Sequence, residues 1–93
     1  MEFEWDDDKE AENVRKHDVS FDLAALVFLD PMRRTEPDER FVYDEDRSMT
    51  VGEIQGRLYV VIHTERENVT RIISARRATR QEKRSYGNDP HDA

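Results

Sequence analysis

The chain contains no cysteine, which excludes a disulfide framework, a thiolate nucleophile and any zinc site built on cysteine. Glycine and proline are scarce, with three of each, and neither a glycine-rich phosphate-binding loop nor a nucleophile elbow is present. No apolar run approaches the roughly 20 residues that span a bilayer, and the N-terminal residues lack the basic and apolar regions of a signal peptide. We therefore expect a cytoplasmic protein without membrane association, and neither a nucleotide cofactor nor serine-hydrolase chemistry.

Histidine is similarly sparse and forms no metal-ligand pattern. The three histidines, His17, His63 and His91, are dispersed along the sequence and match no spacing such as H-E-x-x-H. We predict no metal site and no cofactor.

The length of 93 residues suits one small domain, and a chain of this size hides only about 60 to 65% of its unfolded surface when it folds. A large catalytic cavity is therefore not expected. We predict a single ordered domain over residues 1–86, because its aromatic and branched residues can form a compact core. Residues 87–93 contain glycine and proline but no apolar anchor, and we expect a disordered tail there.

Charge is distributed unevenly along the chain. The formal net charge is -7, yet the stretch 57–84 contains eight lysine or arginine residues against three acids, a local balance of +5. A basic face on an acidic protein favours local phosphate binding over nonspecific nucleic-acid binding by the whole surface.

Apolar periodicity in the N-terminal half predicts a short edge strand followed by two helices. Asp6 is a candidate N-cap for a helix over 7–17, and Asp18 falls where a left-handed residue ends such helices. Ser20 is the candidate cap of a second amphipathic helix over 21–29, which the Asp30-Pro31 pair should end.

The C-terminal half predicts antiparallel strands and a helix. Alternating apolar residues indicate a hairpin over 49–65 and a returning strand over 69–76, and Thr79 with Glu82 matches a capping box. In the polar connection 32–47 only Phe41–Tyr43 is typical of a strand. The predicted fold is α+β, with two N-terminal helices on an antiparallel sheet of about four strands and a short C-terminal helix.

Strict period-two alternation in the returning strand places Arg71 and Arg77 on one face and Arg76 on the other. With Arg66 from the preceding turn and the cations of the C-terminal helix, these arginines could still converge on one side of the sheet. The planar guanidinium fork binds phosphate in a bidentate manner. The alternative for each arginine is a structural salt bridge.

Two titratable residues accompany the arginines. His63 is the only histidine within a predicted strand, and it is either a hydrogen-bonded structural residue or a proton-transfer group. Glu65 lies in sequence among the cations, which would keep its carboxylate ionised and able to accept a proton. An ordinary ion pair is the alternative for Glu65.

Several short motifs occur together in this chain. They are F-x-W-D at residues 3–6, K-H-x-V-S-F at 16–21, D-P at 30–31, T-E-R at 64–66 and R-I-I-S-A-R-x-A-T-x-x-E at 71–82. In this order and spacing, over about residues 2–86, the chain resembles the BrnT toxins, the ribonuclease partners of BrnA antitoxins in bacterial type II toxin–antitoxin systems. One departure is Asp18, where the family usually has glycine, and we expect a slightly strained helix end.

The resemblance implies a RelE-like fold and a metal-independent endoribonuclease that inhibits translation. It also implies neutralisation by a BrnA-like ribbon-helix-helix antitoxin, with DNA contacted only through the complex. The motifs and the basic stretch together give two sets of candidate site residues. The catalytic candidates are Glu65, Arg66, Arg71, Arg76 and His63, and the RNA-binding candidates are Lys16, His17, Arg77, Arg80, Lys83 and Tyr86.

The expected reaction is attack of an RNA 2′-hydroxyl on the adjacent phosphate. Glu65 or His63 would assist deprotonation, arginines would stabilise the phosphorane, and Lys83 or Tyr86 could donate the proton to the leaving oxygen. The alternative function is a noncatalytic interaction module, or a degenerate toxin that only binds its antitoxin.

Overall fold

The computed structural model describes residues 1–38 and 46–87. These residues form five strands, three α-helices and one 3₁₀ segment. The elements are β1 (Glu2–Glu4), α1 (Asp7–His17), α2 (Phe21–Ala24), the 3₁₀ segment (Ala25–Leu29), β2 (Arg34–Pro37), β3 (Ser48–Ile54), β4 (Arg57–Arg66), β5 (Val69–Arg77) and α3 (Arg80–Gly87). The strand fragment predicted at Phe41–Tyr43 and the tail beyond residue 87 lie outside the described residues.

The strands form one mixed sheet in the order β1-β5-β4-β3-β2. β1 is parallel to β5, and the other neighbours are antiparallel. The predicted all-antiparallel sheet of about four strands is therefore wrong in strand number and in the direction of β1. Local hairpin signals cannot reveal either feature, because β1 pairs with a distant segment and all four residues of β2 are exposed. The RelE-like arrangement is matched only in part.

α1 begins and ends at the residues that local chemistry predicts. The Asp6 carboxylate accepts hydrogen bonds from the backbone N–H groups of Asp8 and Lys9, at 2.8 and 3.1 Å. Asp18 has φ 57° and ψ 36°, and its N–H donates to the carbonyl of Val14 at 2.8 Å. A residue other than glycine costs roughly 1–2 kcal/mol in this left-handed conformation, so the helix end is strained as expected.

The second predicted helix is correct only in its first turn. The Ser20 hydroxyl caps it by accepting from the N–H of Leu23 at 3.1 Å, but the α-helix ends at Ala24 and continues as the tighter 3₁₀ segment. The sheet lies very close to this segment, because a Cβ built on Gly52 would lie 2.7 Å from Cγ1 of Val27. Tertiary packing against β3 therefore overrides the helical periodicity.

The early helices and the 3₁₀ segment cover one side of the sheet, which we call the helix face. On β4 this face carries Tyr59, Val61 and His63, which contact apolar residues such as Phe28. α3 instead lies at the end of the opposite face, where it lines a groove of about 380 Å³ with Met49 and Val51 of β3.

Asn13 joins α1 to the exposed edge of β5. β1 pairs with β5 only as far as Arg71, and no other strand of the described residues covers the rest of that edge. The Asn13 amide replaces the missing strand, since it donates to the carbonyl of Ala75 at 2.9 Å and accepts from the Ala75 N–H at 3.0 Å. A third bond, to the carbonyl of Val19 at 2.8 Å, satisfies the other amide hydrogen.

Candidate functional site

A β-bulge in β5 decides which arginines share a face. Ile62 pairs with Ser74, whereas the next residue of β4, His63, pairs with Ile72. Ile73 is therefore the extra residue on the bulged strand. Strict alternation does not hold across such an insertion, and the predicted face assignment of β5 is wrong at this point.

Because of the bulge, Arg71 and Arg76 point to the same side of the sheet. Arg71 pairs with Thr64 of β4, and Arg76 pairs with Val60. Because Thr64 and Val60 are an even number of residues apart on the regular strand β4, they point to the same face. We call this side, which carries Arg71, Ser74 and Arg76, the arginine face. The paired positions on β4 are four residues apart, roughly 13 Å along the strand, so the two arginines flank Ser74.

Arg76 is held by a bidentate ion pair. Its two terminal nitrogens donate to the Glu82 carboxylate at 2.7 and 2.8 Å. Glu82 also forms the predicted capping box, accepting from the N–H of Thr79 at 2.8 Å while its own N–H donates to the Thr79 hydroxyl at 3.2 Å. The hydrogen bonds from Arg76 are the main cause that lowers the pKa of Glu82 to about 2. Arg76 thus fixes the start of α3.

Arg71 is held less firmly. Its nearest acid is Glu4, with a nitrogen–oxygen distance of 3.5 Å, and the Arg71 side chain is 32% exposed. Arg66 is exposed at the end of β4, so the three arginines among the catalytic candidates lie on one side of the sheet, with Arg66 beyond Arg71. Arg71 therefore has a longer and weaker ion-pair contact than Arg76.

A groove of about 320 Å³ joins the end of α1 to the bulge. On the strand side it is lined by Ile73 and Ser74, and on the helix side by Lys16 and His17 together with Asp8, Lys9, Glu12 and Asn13. The structure therefore brings two of the predicted RNA-binding residues to the edge of the arginine face. Lys16 also lies 3.4 Å from the Glu12 carboxylate, one turn earlier on the same helix.

His63 lies on the opposite, helix-packed side. It is 3% exposed, its Nε2 is 2.7 Å from the Thr50 hydroxyl, and its ring meets Phe28 edge-on with centroids 4.9 Å apart. Burial lowers the pKa of His63, and the nearby Glu65 carboxylate only partly opposes this effect. The imidazole is thus a buried, neutral member of the core.

Glu65 follows His63 on the same face. Both carboxylate oxygens accept from the Thr70 hydroxyl at 2.9 Å, and one lies 3.4 Å from Nδ1 of His63 without hydrogen-bond geometry. The Glu65 side chain remains 55% exposed at the end of the strand. Glu65 and His63 therefore lie on the opposite face of the sheet from Arg71 and Arg76. The sequence indicates this placement, because both residues are an even number of positions from the core residue Val61.

The remaining RNA-binding candidates lie near α3. Tyr86 donates its hydroxyl hydrogen to Asp30 at 2.6 Å, and burial followed by this contact raises the pKa of Tyr86 to about 12. Arg80 and Lys83 are exposed on α3. Arg77 pairs with Tyr59 and therefore lies on the face of β5 opposite to its neighbour Arg76.

The described part of the chain shows neither a metal centre nor a membrane span. Over residues 1–38 and 46–87, no three histidine, aspartate or glutamate side chains are grouped so that they could hold a metal ion. Within the same ranges, no helix has the length and apolar character needed to cross a bilayer.

An α+β domain with arginines gathered on one sheet face, and further cations at its edge, has the features of a protein that binds a phosphate-bearing ligand. Residues 5–82 match the family model BrnT_toxin, described as the ribonuclease toxin BrnT of type II toxin–antitoxin systems, and the chain belongs to this family. It is therefore a ribonuclease toxin, and its family implies an antitoxin partner. The comparison with curated proteins finds no match.

Proposed function

We propose that the protein is a metal-independent endoribonuclease that cleaves RNA on the arginine face and thereby inhibits translation. The observation that carries this proposal is the common side of Arg71 and Arg76, with Lys16 and His17 at its edge, in a chain of a ribonuclease toxin family. We also propose a BrnA-like ribbon-helix-helix antitoxin as the partner, contact with DNA only through that complex, and a cytoplasmic location.

The proposed step needs no cofactor. The RNA 2′-oxygen forms a bond to the adjacent phosphorus, the bond from phosphorus to the 5′-oxygen breaks, and the products are a cyclic phosphate and a 5′-hydroxyl. The 2′-hydroxyl proton passes to a base, and the leaving oxygen gains a proton from an acid. Arg71 and Arg76 stabilise the extra negative charge that develops on the phosphorane oxygens.

Arg76 can take part without leaving Glu82. A guanidinium has five N–H donors, and in this structure Arg76 uses two on Glu82 and one on the carbonyl of Arg77. Two donors therefore remain for a phosphate oxygen. Glu82 acts in this proposal as the residue that orients Arg76.

Proton transfer has two accessible candidates. Glu65 is exposed at the end of β4, with His63 behind it, and would serve RNA that passes the turn between β4 and β5. His17 lines the groove beside Ser74 and lies nearer to the arginine face. His63 itself is too buried to touch a substrate. Tyr86 is a poor acid because its pKa is about 12.

The decisive experiment measures RNA cleavage by the purified protein in excess EDTA, with the product ends identified. We expect a cyclic phosphate and a 5′-hydroxyl, and an Arg76→Ala variant should cleave at least about 100-fold more slowly. The variant Glu82→Gln keeps the Arg76 guanidinium but weakens the ion pair that orients it. Comparison of the two variants therefore separates loss of the orientation of Arg76 from loss of its guanidinium. Unchanged cleavage by a folded Arg76→Ala protein would remove Arg76 from the mechanism.

The same assay assigns the base and tests the noncatalytic alternative. Loss of activity in Glu65→Gln but not in His17→Gln supports Glu65, and the reverse result supports His17. A wild-type protein that binds its antitoxin but cleaves no RNA would instead be an interaction module.

A further inference from the structure

A second cationic site lies at the end of the sheet, beside α3. Arg57 at the start of β4, Arg77 at the end of β5 and Lys83 on α3 line one groove of about 300 Å³. All three side chains are exposed. Within the part of the chain that the structure describes, none of them has an ion-pair partner, in contrast to Arg71 and Arg76. One acid, Glu53, is among the residues that line the groove, so the groove is strongly cationic.

The fold gives this cluster a defined shape. The turn between β3 and β4 consists of Gln55 and Gly56 with φ values of 49° and 82°, a tight hairpin that fixes Arg57 at the sheet end. The space beside Gly56 is open, since a Cβ built there would meet no atom within 4 Å. Arg77 follows directly after Arg76 and lies on the opposite face of β5.

We propose that Arg57, Arg77 and Lys83 form a second phosphate subsite, which holds a phosphodiester of the single-stranded RNA next to the cleaved bond. This inference rests on the proposed ribonuclease function and extends it. The groove also contains Tyr86, whose hydroxyl is fixed by Asp30. A fixed aromatic ring beside unpaired cations is the combination that binds single-stranded nucleic acid, with the ring stacking on a base.

An acidic segment of a protein partner is the competing occupant. Protein interfaces usually depend on apolar anchors that enter buried pockets. This groove has only Leu58 and the Tyr86 ring as apolar lining, while two of its three cations are guanidinium groups suited to phosphate. The observations therefore favour RNA.

The test uses fluorescence anisotropy with a short 2′-O-methyl RNA, which lacks the attacking hydroxyl and reports binding apart from cleavage. The variant Arg57→Gln/Lys83→Gln is compared with Arg15→Gln/Arg84→Gln, which removes the same charge at exposed residues outside this groove. We expect about tenfold weaker binding by the first variant only. The slope of log affinity against log salt should fall by about 0.7, the value for one phosphate of a single strand.

Each outcome decides the proposal. Equal affinity and slope in the two variants, with wild-type protein that binds RNA and cleaves it, would overturn the subsite and leave the ribonuclease function intact. Normal RNA binding with weakened antitoxin binding would show that the groove holds an acidic protein segment. A wild-type protein that neither binds nor cleaves RNA would contradict both proposals.

Discussion

The polar side chains on the two faces of the sheet differ in their exposure and in their partners. On the helix face, His63 and Thr50 are buried and hydrogen-bond to each other, and the Thr70 hydroxyl donates to the neighbouring Glu65. On the arginine face, Arg71 and Arg76 are partly exposed and are held by acids from other elements. The sheet therefore separates groups that the sequence places close together, and exposure distinguishes the residues that can meet a substrate from those that hold the fold.

The largest expected effect concerns the arginine face. Arg71→Ala should slow RNA cleavage by about 100-fold, because one donor to the phosphorane is lost. Its free energy of unfolding should change by less than about 1 kcal/mol, since its only described ion pair is long and exposed. Single-turnover cleavage and urea unfolding measure the two quantities.

The exposed Arg15→Ala variant is the control for this first prediction. A loss of stability in Arg71→Ala that matches its loss of activity would contradict the division between the two faces.

His63→Ala should give the opposite pattern. Loss of the Thr50 hydrogen bond and of packing against Phe28 should lower the free energy of unfolding by about 2–3 kcal/mol. Cleavage per folded molecule should change little, because the buried imidazole supports the fold and does not touch the substrate. Urea unfolding and a cleavage assay at a temperature where the variant is folded provide the measurements.

A reduction of cleavage by His63→Ala well beyond the unfolded fraction would show that His63 acts on the reaction through Glu65. The exposed His17 is a matched control for stability, because His17→Ala should leave the free energy of unfolding nearly unchanged.

The smallest effect is in the pH dependence of stability. The lowered pKa of buried His63 means that the unfolded chain binds more protons, so its contribution is complete above about pH 6.5 and is lost as the pH falls below that value. Glu82, with a pKa of about 2 instead of 4.5, contributes fully above about pH 4.5 and loses its contribution towards pH 2.

Urea unfolding at a series of pH values separates the two windows. His63→Phe should remove the upper window and Glu82→Gln the lower one. If His63→Phe kept the upper window, another group would be responsible for it.

Local chemistry in the sequence predicts the ends of the elements well. Asp6, Asp18 and Ser20 occupy their predicted capping positions, because a cap depends on a few neighbouring residues. The capping box of Thr79 and Glu82 forms for the same reason. Each of these contacts spans no more than a few residues of chain.

Features that depend on distant pairing could not be predicted in this way. The parallel direction of β1 and the exposed strand β2 depend on partners far along the chain. Motifs in the sequence indicate the candidate site residues, but the distribution of Glu65 and Arg71 over two faces depends on the register of β4 and β5. Nothing in the residue types of that strand marks Ile73 as the bulge.

The bulge has a consequence for how related sites can be recognised. Arg71 and Arg76 are five positions apart, an odd spacing that in a regular strand separates two side chains onto opposite surfaces. Here the inserted residue makes that odd spacing behave as an even one. A homologue that lost one residue between the two arginines, and with it the bulge, would keep both side chains on the same face. A homologue that kept the spacing of five positions in a regular strand would contain both arginines but would place them on opposite faces, and it would therefore lack the site.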